Sequence, residues 1–290
     1  MNLAVLGIPP GARLPVALLQ ILARGALVLL ALYHVPLLLP ELHQALDYRP
    51  LATLELGGLL AVFFALPELG AWIVRRLCAS RAWIESGALV IEGRGGRAEV
   101  PVGEIAEIVP WALPVPWPGL RLRPRSSAHP SLRLAAADPS ILLELLGASG
   151  AAMPAREALA HPSLRLARAR ERSRSRLDRP LLKFAIFALV PALPLFRLHQ
   201  WISFGGTFGE YHEFGLAAYL LGFALYWGLS AIYLLLFAAG LRALAEPLTL
   251  VALLLPPRWD LAVRRVAEGL LRALYYLTPP ALLIARLALQ

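Results

Sequence analysis

Four ionisable side chains, Arg24, His34, Glu55 and Glu68, lie within runs otherwise apolar enough to cross a bilayer. An ionised group near the centre of a span costs about 2.5–3.5 kcal/mol on an insertion scale, so each should face protein and pair. In an antiparallel hairpin, residues at one depth have a nearly constant sum of numbers. Arg24 with Glu68 and His34 with Glu55 satisfy that within three residues, under one helical turn. Two readings stay open for these intramembrane polar pairs: bonds that lock the hairpin, and a path for a proton or ligand. A second set lies between apolar runs, with Glu41, His43 and Asp47 in one polar loop and His199, Glu210, His212 and Glu213 in another. Imidazole and carboxylate are ordinary ligands of zinc or copper, so His43, Asp47, His199, Glu210 and His212 form a candidate ligand cluster. The stretch GEYHE lacks metal-site spacing, and whether a metal binds stays open.

No residue is assigned a catalytic role. Gly228-Leu229-Ser230 would suit an intramembrane serine nucleophile, but no histidine accompanies it. HExxH, GxSxG, Walker A and CxxC patterns are missing from the sequence, and the single Cys78 excludes an intramolecular disulfide and a cysteine metal cage. The expectation is a non-enzyme without a cofactor.

The elements that must position these residues are mostly apolar. Of 290 residues, 58% are hydrophobic and 16% charged, against about a quarter charged in a soluble domain. The net charge of +9 sits beside the apolar runs, where arginine fixes topology. With no nucleic-acid motif in sight, the expected partners are the lipid bilayer and another membrane or cytosolic protein, not nucleic acid. The strongest topological signal is RLARARERSRSRLDRP, Arg165 to Pro180, immediately before an apolar run. Together with Arg75, Arg76 and Arg81 it pins residues 79–180 and the N-terminus to the cytosolic face of a bacterial inner membrane. Spans are expected at about 16–39, 51–74, 181–197, 215–240 and 266–288, leaving the C-terminus periplasmic. PLTLVALLLPP is too short to cross and reads as an interfacial piece.

Between the second and third runs the pattern changes to period two. WIESGALVIEGRGGRAEVPV reads as two strands about the turn Gly93 to Gly96. EIAEIVPW, GLRLRPRS and SLRLAAAD read as further strands, and DPSILLELLGAS as a helix with Asp138 as N-cap. This order, with GALVIEGRGGRAEVPVGEIAEI at its start, resembles the bacterial PH-like domain family, small partly open β-barrels closed by one C-terminal helix. The resemblance covers about residues 80–149 and implies a binding or assembly module without a catalytic site. Two departures are the proline density of ALPVPWPG and a length short of a full barrel.

The fold class expected is therefore an α-helical polytopic membrane protein of about five spans with a small cytosolic β-rich domain. Its parts are a first hairpin (1–78), a PH-like domain (79–149), an Arg-rich linker (150–180), a second hairpin (181–243) and an interfacial segment with a last span (244–290). Two repeats remain. AHPSLRLA occurs at 128–135 and again at 160–167; the copies are either a duplication without function or two strands or extended arms of one module. The two hairpins also match, His43 with His199, Gln44 with Gln200, Asp47 with Glu210 and Tyr48 with Tyr211, as in a parallel repeat. The leading functional expectation is a scaffold or accessory subunit of an envelope assembly. The alternatives are a small transporter or ligand-binding protein, and a periplasm-facing metal-dependent enzyme.

Overall fold

The computed structural model describes residues 5–35, 49, 51–94, 96–112, 117–126, 131–136, 138–173, 175–251 and 259–288. Two compact units emerge, Met1–Arg24 with Val62–Ser173 and Thr249–Arg264, and Gly25–Ala61 with Arg174–Leu248 and Arg265–Gln290.

The first unit holds a seven-stranded antiparallel sheet in the order β4-β3-β2-β1-β7-β6-β5. Its strands are β1 (Val5–Ile8), β2 (Ser80–Glu85), β3 (Ala88–Gly93), β4 (Gly96–Pro101), β5 (Ile105–Pro110), β6 (Gly119–Pro124) and β7 (Leu132–Ala136). Strands β4 and β5 form opposite edges, yet only the 3₁₀ turn Val102–Glu104 joins them, so the sheet must curl to bring its edges together. Helix α3 (Ser140–Ala148) fills the curl: Leu142, Leu143 and Leu146 pack with Leu89, Val100, Ile105, Leu120 and Leu134, each at most 2% exposed. Pro139 is the N-cap, one residue later than expected, and Asp138 before it still binds the helix start, its Oδ1 accepting from Ser140 N at 3.0 Å and Ser140 Oγ at 2.6 Å.

Three sequence expectations change here. The N-terminal residues join the sheet: β1 lies between β2 and β7, with Gly7 opposite Ala136 and Ile8 opposite Ala135. Gly7 is required, because a Cβ there would sit 2.5 Å from Leu134 Cδ1 and 2.7 Å from the Ala135 carbonyl. The run 83–102 is three strands rather than two, because Ser86 (φ 50°) and Gly87 (φ 79°) turn the chain between β2 and β3 before the Gly-rich turn does so again. A two-residue hairpin turn with positive φ at both positions matches the twist of its strands. Residues 150–180, expected as a linker, instead form helices α4 (Ala152–Ala160) and α5 (Pro162–Arg172). Ala155, Ala158 and Leu164 add to the sheet core, and Arg168 pairs with Glu144 of α3.

The remaining long helices are α1 (Pro10–Tyr33), α2 (Thr53–Leu77), α6 (Leu181–Phe204), α7 (Gly209–Val251) and α8 (Asp260–Ala288). Helix α2 is π-helical over Ala61–Ala65. Among the described residues four helices are long and apolar enough to cross a membrane: Gly11–Tyr33, Thr53–Leu77, Leu181–Phe204 and Gly209–Leu248. Their side chains are largely uncovered, as Leu54 at 88% and Ile202 at 75% exposure illustrate. Each such leucine forgoes about 1.5–3 kcal/mol of burial in water. A protein that presents four such helices is suited to a bilayer.

The expected fifth span, about 266–288, falls within helix α8, which carries Glu268, Arg272, Pro279 and Pro280 and is not among the four apolar helices. The expected loop after residue 197 is mostly helical. Helix α6 runs on to Phe204, Gly205 (φ 68°) ends it, and the chain breaks again at Gly215 (φ 84°), where the inward span was expected to begin. The expected interfacial piece continues α7 through Pro247 as far as Val251, while 252–258 lie outside the described residues.

Candidate functional site

The site with the most chemistry lies where the arginine run meets the third apolar helix. Ser175 and Asp178 close the 3₁₀ turn Arg176–Asp178 reciprocally: Ser175 N donates to Asp178 Oδ2 at 3.0 Å, and Leu177 N donates to Ser175 Oγ at 3.3 Å. Helix α6 comes next with a π-helical opening, Leu181–Ile186, which carries Lys183, the one lysine of the chain. Such widened turns often accompany functional positions.

Five ionised side chains line up here with alternating sign. Glu246 lies 3.6 Å from Arg242, Arg242 lies 2.9 Å from Glu268, Glu268 lies 3.9 Å from Arg272, and Arg272 lies 2.7 Å from Asp178. Three carboxylates against two guanidiniums leave one negative charge, which the Lys183 ammonium brings to zero. Glu268, 5% exposed at its side chain, has both guanidiniums as partners there. Burial raises the Asp178 carboxyl, but the Arg272 hydrogen bond, the Ser175 N–H and the charges of Arg272 and Lys183 together hold it below the usual aspartate range.

Aromatic rings complete the wall. Lys183 Nζ stands 4.4 Å from the ring centre of Tyr275 and 5.6 Å from that of Phe184, within cation–π range. Tyr275, 1% exposed, donates its hydroxyl to the Lys183 carbonyl at 2.8 Å, and Tyr276 donates to the Leu177 carbonyl at 2.7 Å. Phe187, Phe237 and Tyr276 surround Tyr275 with centroids 4.9 to 6.2 Å away. Lys183, Asp178, Arg242, Glu268 and Arg272 line a small recess with Leu241 and Tyr275. The arrangement can fasten three helical segments by charge.

The residues singled out in the sequence fall elsewhere. His34 is buried, its ring Nδ1 2.7 Å from the Leu30 carbonyl and its face set edgewise to Tyr33 and Tyr233, 5.3 and 5.7 Å away. Glu55 is exposed in the first turn of α2, where its Oε2 accepts from Ala52 N at 3.1 Å and closes the helix start. Arg24 is exposed on α1 and Glu68 half-buried on α2.

His43 and Asp47 lie outside the described residues. His199 Nδ1 is 3.2 Å from Ser203 Oγ, and its ring leans on Tyr226 at 5.3 Å. His212 is exposed beside Tyr211. Glu210 bonds within the chain: Gln200 Nε2 donates to its Oε2 at 2.6 Å, and Glu210 N donates to Gln200 Oε1 at 3.2 Å. Gly222 makes room for that pair, since a Cβ there would stand 2.8 Å from Glu210 Oε2. No group of three His, Cys, Asp or Glu able to hold a metal occurs among the described residues.

Sequence reasoning missed the Lys183 cluster because its members are spread from 178 to 272. Two signals were there to read: a sole lysine just inside an apolar run, and Glu268 and Arg272 at i, i+4 spacing. Compared with family models, curated proteins and solved structures, the chain matches none.

Proposed function

We propose that the chain is a non-catalytic protein of a bacterial cytoplasmic membrane whose curled-sheet domain, of PH-like type, stands at the cytosolic face and binds a partner protein in an envelope assembly. One observation carries this reading: a curled seven-stranded sheet whose edge strands β4 and β5 are joined by a single 3₁₀ turn, with helix α3 packed into its core. The resemblance implies a small partly open barrel closed by one helix for residues 80–149, and residues 5–8 add a strand from outside that stretch. The first pair of apolar helices is thus inserted between β1 and β2, which ties the domain to the membrane at two chain crossings.

A photo-crosslinker placed at the exposed residues Glu92, Arg123 and Arg133 of the sheet tests the reading in intact cells. A discrete heavier species from at least one position is the expected result. Monomer alone at all of them would sink the scaffold reading.

A second reading, a small transporter or ligand-binding membrane protein, is favoured by the Lys183 recess, where an ammonium flanked by two guanidiniums lies against ring faces. Solute flux in proteoliposomes that Lys183→Met abolishes would turn the preference toward it.

A further inference from the structure

The first unit contains three arginine–tryptophan stacks at one end of the first hairpin. Arg13 lies 4.1 Å from the Trp111 ring centre, Arg75 5.7 Å from Trp117, and Arg76 5.6 Å from Trp72. Leu19 of α1 approaches Gly70 of α2 there, a Cβ on Gly70 falling 3.4 Å from Leu19 Cδ1, and the indoles that Arg13 and Arg75 face are six residues apart. Arg13, near the start of α1, and Arg75, near the end of α2, therefore share that end of the hairpin. Trp111 and Trp117 are the two ends of the β5–β6 connection, the proline-dense ALPVPWPG that departs from the resemblance.

Both ends of this connection are fixed to the sheet. Trp111 N donates to the Gly119 carbonyl at 2.9 Å, and Ala136 N donates to the Pro118 carbonyl at 3.1 Å. Gly119 is the residue that lets the first indole in, since a Cβ there would lie 1.9 Å from Trp111 Cε3. Pro110 and Pro118, each with a fixed φ, flank the two indoles. Two indoles anchored to the sheet thus reach both helices of the hairpin through Arg13 and Arg75.

We propose that Trp111, Trp117 and the arginines at the helix ends form a headgroup site for an anionic phospholipid, which seats the curled-sheet domain on the membrane surface. Tryptophan prefers the interface between hydrocarbon and headgroups, where its ring is half apolar and half wet. A guanidinium stacks through its face while its N–H donors lie in the plane, in the fork that matches phosphate oxygens. Among the described residues Arg75 hydrogen-bonds only through Nε, which donates to the Ala71 carbonyl at 3.2 Å and leaves the Nη pair for a phosphate. Arg76 and Trp72 are exposed beside it and extend the positive rim. Three cations around two fixed indoles complement a phosphate diester, while a zwitterionic headgroup would bring a fourth cation among them.

The inference rests on the membrane reading above. Full-length protein in mild detergent, titrated with phosphatidylglycerol and with phosphatidylcholine of the same chains and followed by native mass spectrometry, tests it. The expected result is preference for phosphatidylglycerol, weakened about fivefold by Arg75→Gln and again by Arg76→Gln, with phosphatidylcholine binding unmoved. Trp117→Leu should weaken it too, and Arg75→Lys should restore most of the charge but not the stacked geometry. Equal binding of the two lipids, or full phosphatidylglycerol affinity in both arginine variants at unchanged melting temperature, would overturn the proposal. Displacement of phosphatidylglycerol by millimolar inorganic phosphate would overturn the commitment to a lipid. The membrane reading fails differently: release of the chain from membranes by alkaline carbonate would take both down.

Discussion

The eight residues AHPSLRLA fold in two ways in one protein. In the first copy Leu132–Ala136 is the strand β7, paired with β1 on one side and β6 on the other. In the second copy Pro162 opens α5, an eleven-residue helix. The expectation that both copies are strands or extended arms holds for the first and fails for the second. What differs is context. The first copy lies between two strands with unpaired edges and runs into Pro139 four residues after its end, too little chain for a stable helix. The second runs on into Arg-Ala-Arg-Glu-Arg, all compatible with a helix, and His161 caps it, its Nδ1 accepting from Ser163 N at 3.3 Å. Burial reflects each geometry. Leu132 and Leu134 are buried with Arg133 exposed between them, at period two; Ser163, Leu164 and Ala167 are buried at helical spacing. Both copies nonetheless feed one core, since Leu132, Leu134 and Leu164 are all part of it. An identical string supplies apolar side chains, and its neighbours decide by which period they are presented.

The sharpest test of that contrast compares Leu134 with its counterpart Leu166. Leu134 is 2% exposed against α3, whereas Leu166 is only half-buried. Leu134→Ala should cost about 2–5 kcal/mol in denaturant unfolding and Leu166→Ala well under half of that. Equal losses would mean that the two copies are not used differently.

The next effect concerns the aspartate downstream of each copy. The helix copy leads to Asp178, the strand copy to Asp138, and only the former is held by an arginine among the described residues. Asp178→Asn should lower stability by about 1.5–3 kcal/mol at neutral pH. Because Asp178 is held below the ordinary aspartate range, its contribution is complete above that range and disappears as pH falls through the lowered value. The gap in melting temperature between wild type and Asp178→Asn should therefore close on acidification, and a gap that widens would contradict the pairing. The smallest effect is at the serines. Ser163→Ala removes a buried hydroxyl 2.7 Å from His161 Nδ1 and should cost about 0.5–1.5 kcal/mol, while Ser131→Ala, on an exposed residue, should change stability by less than about 0.5 kcal/mol.

Much of this architecture was legible from periodicity. The apolar runs, the strands after Ser80 and the helix start at Asp138 all rest on local pattern, and each has its counterpart in the structure. What escaped depends on partners distant in sequence. Four residues at 5–8 carry no strand signal of their own, and they become one because β2 and β7 present edges to them, Gly7 pairing with Ser80 on one side and with Ala136 on the other. The helix over 162–172 was hidden by the likeness of its opening to a strand and by its arginines, which read as topology alone. The Lys183 cluster was hidden for the same reason as β1, since Asp178 and Arg272 stand 94 residues apart. Asp47 and His43, by contrast, were read from a loop that the described residues do not include.

A membrane protein with its curled sheet on the cytosolic side is the central claim. Cysteine accessibility tests it directly, in a Cys78→Ser background, with Ser131→Cys on the sheet and Ser203→Cys at the far end of α6, both positions exposed. A membrane-impermeant maleimide added to intact spheroplasts should label residue 203 at once and residue 131 only after the membrane is opened. Labelling of 131 in intact spheroplasts, with 203 protected, would contradict the claim.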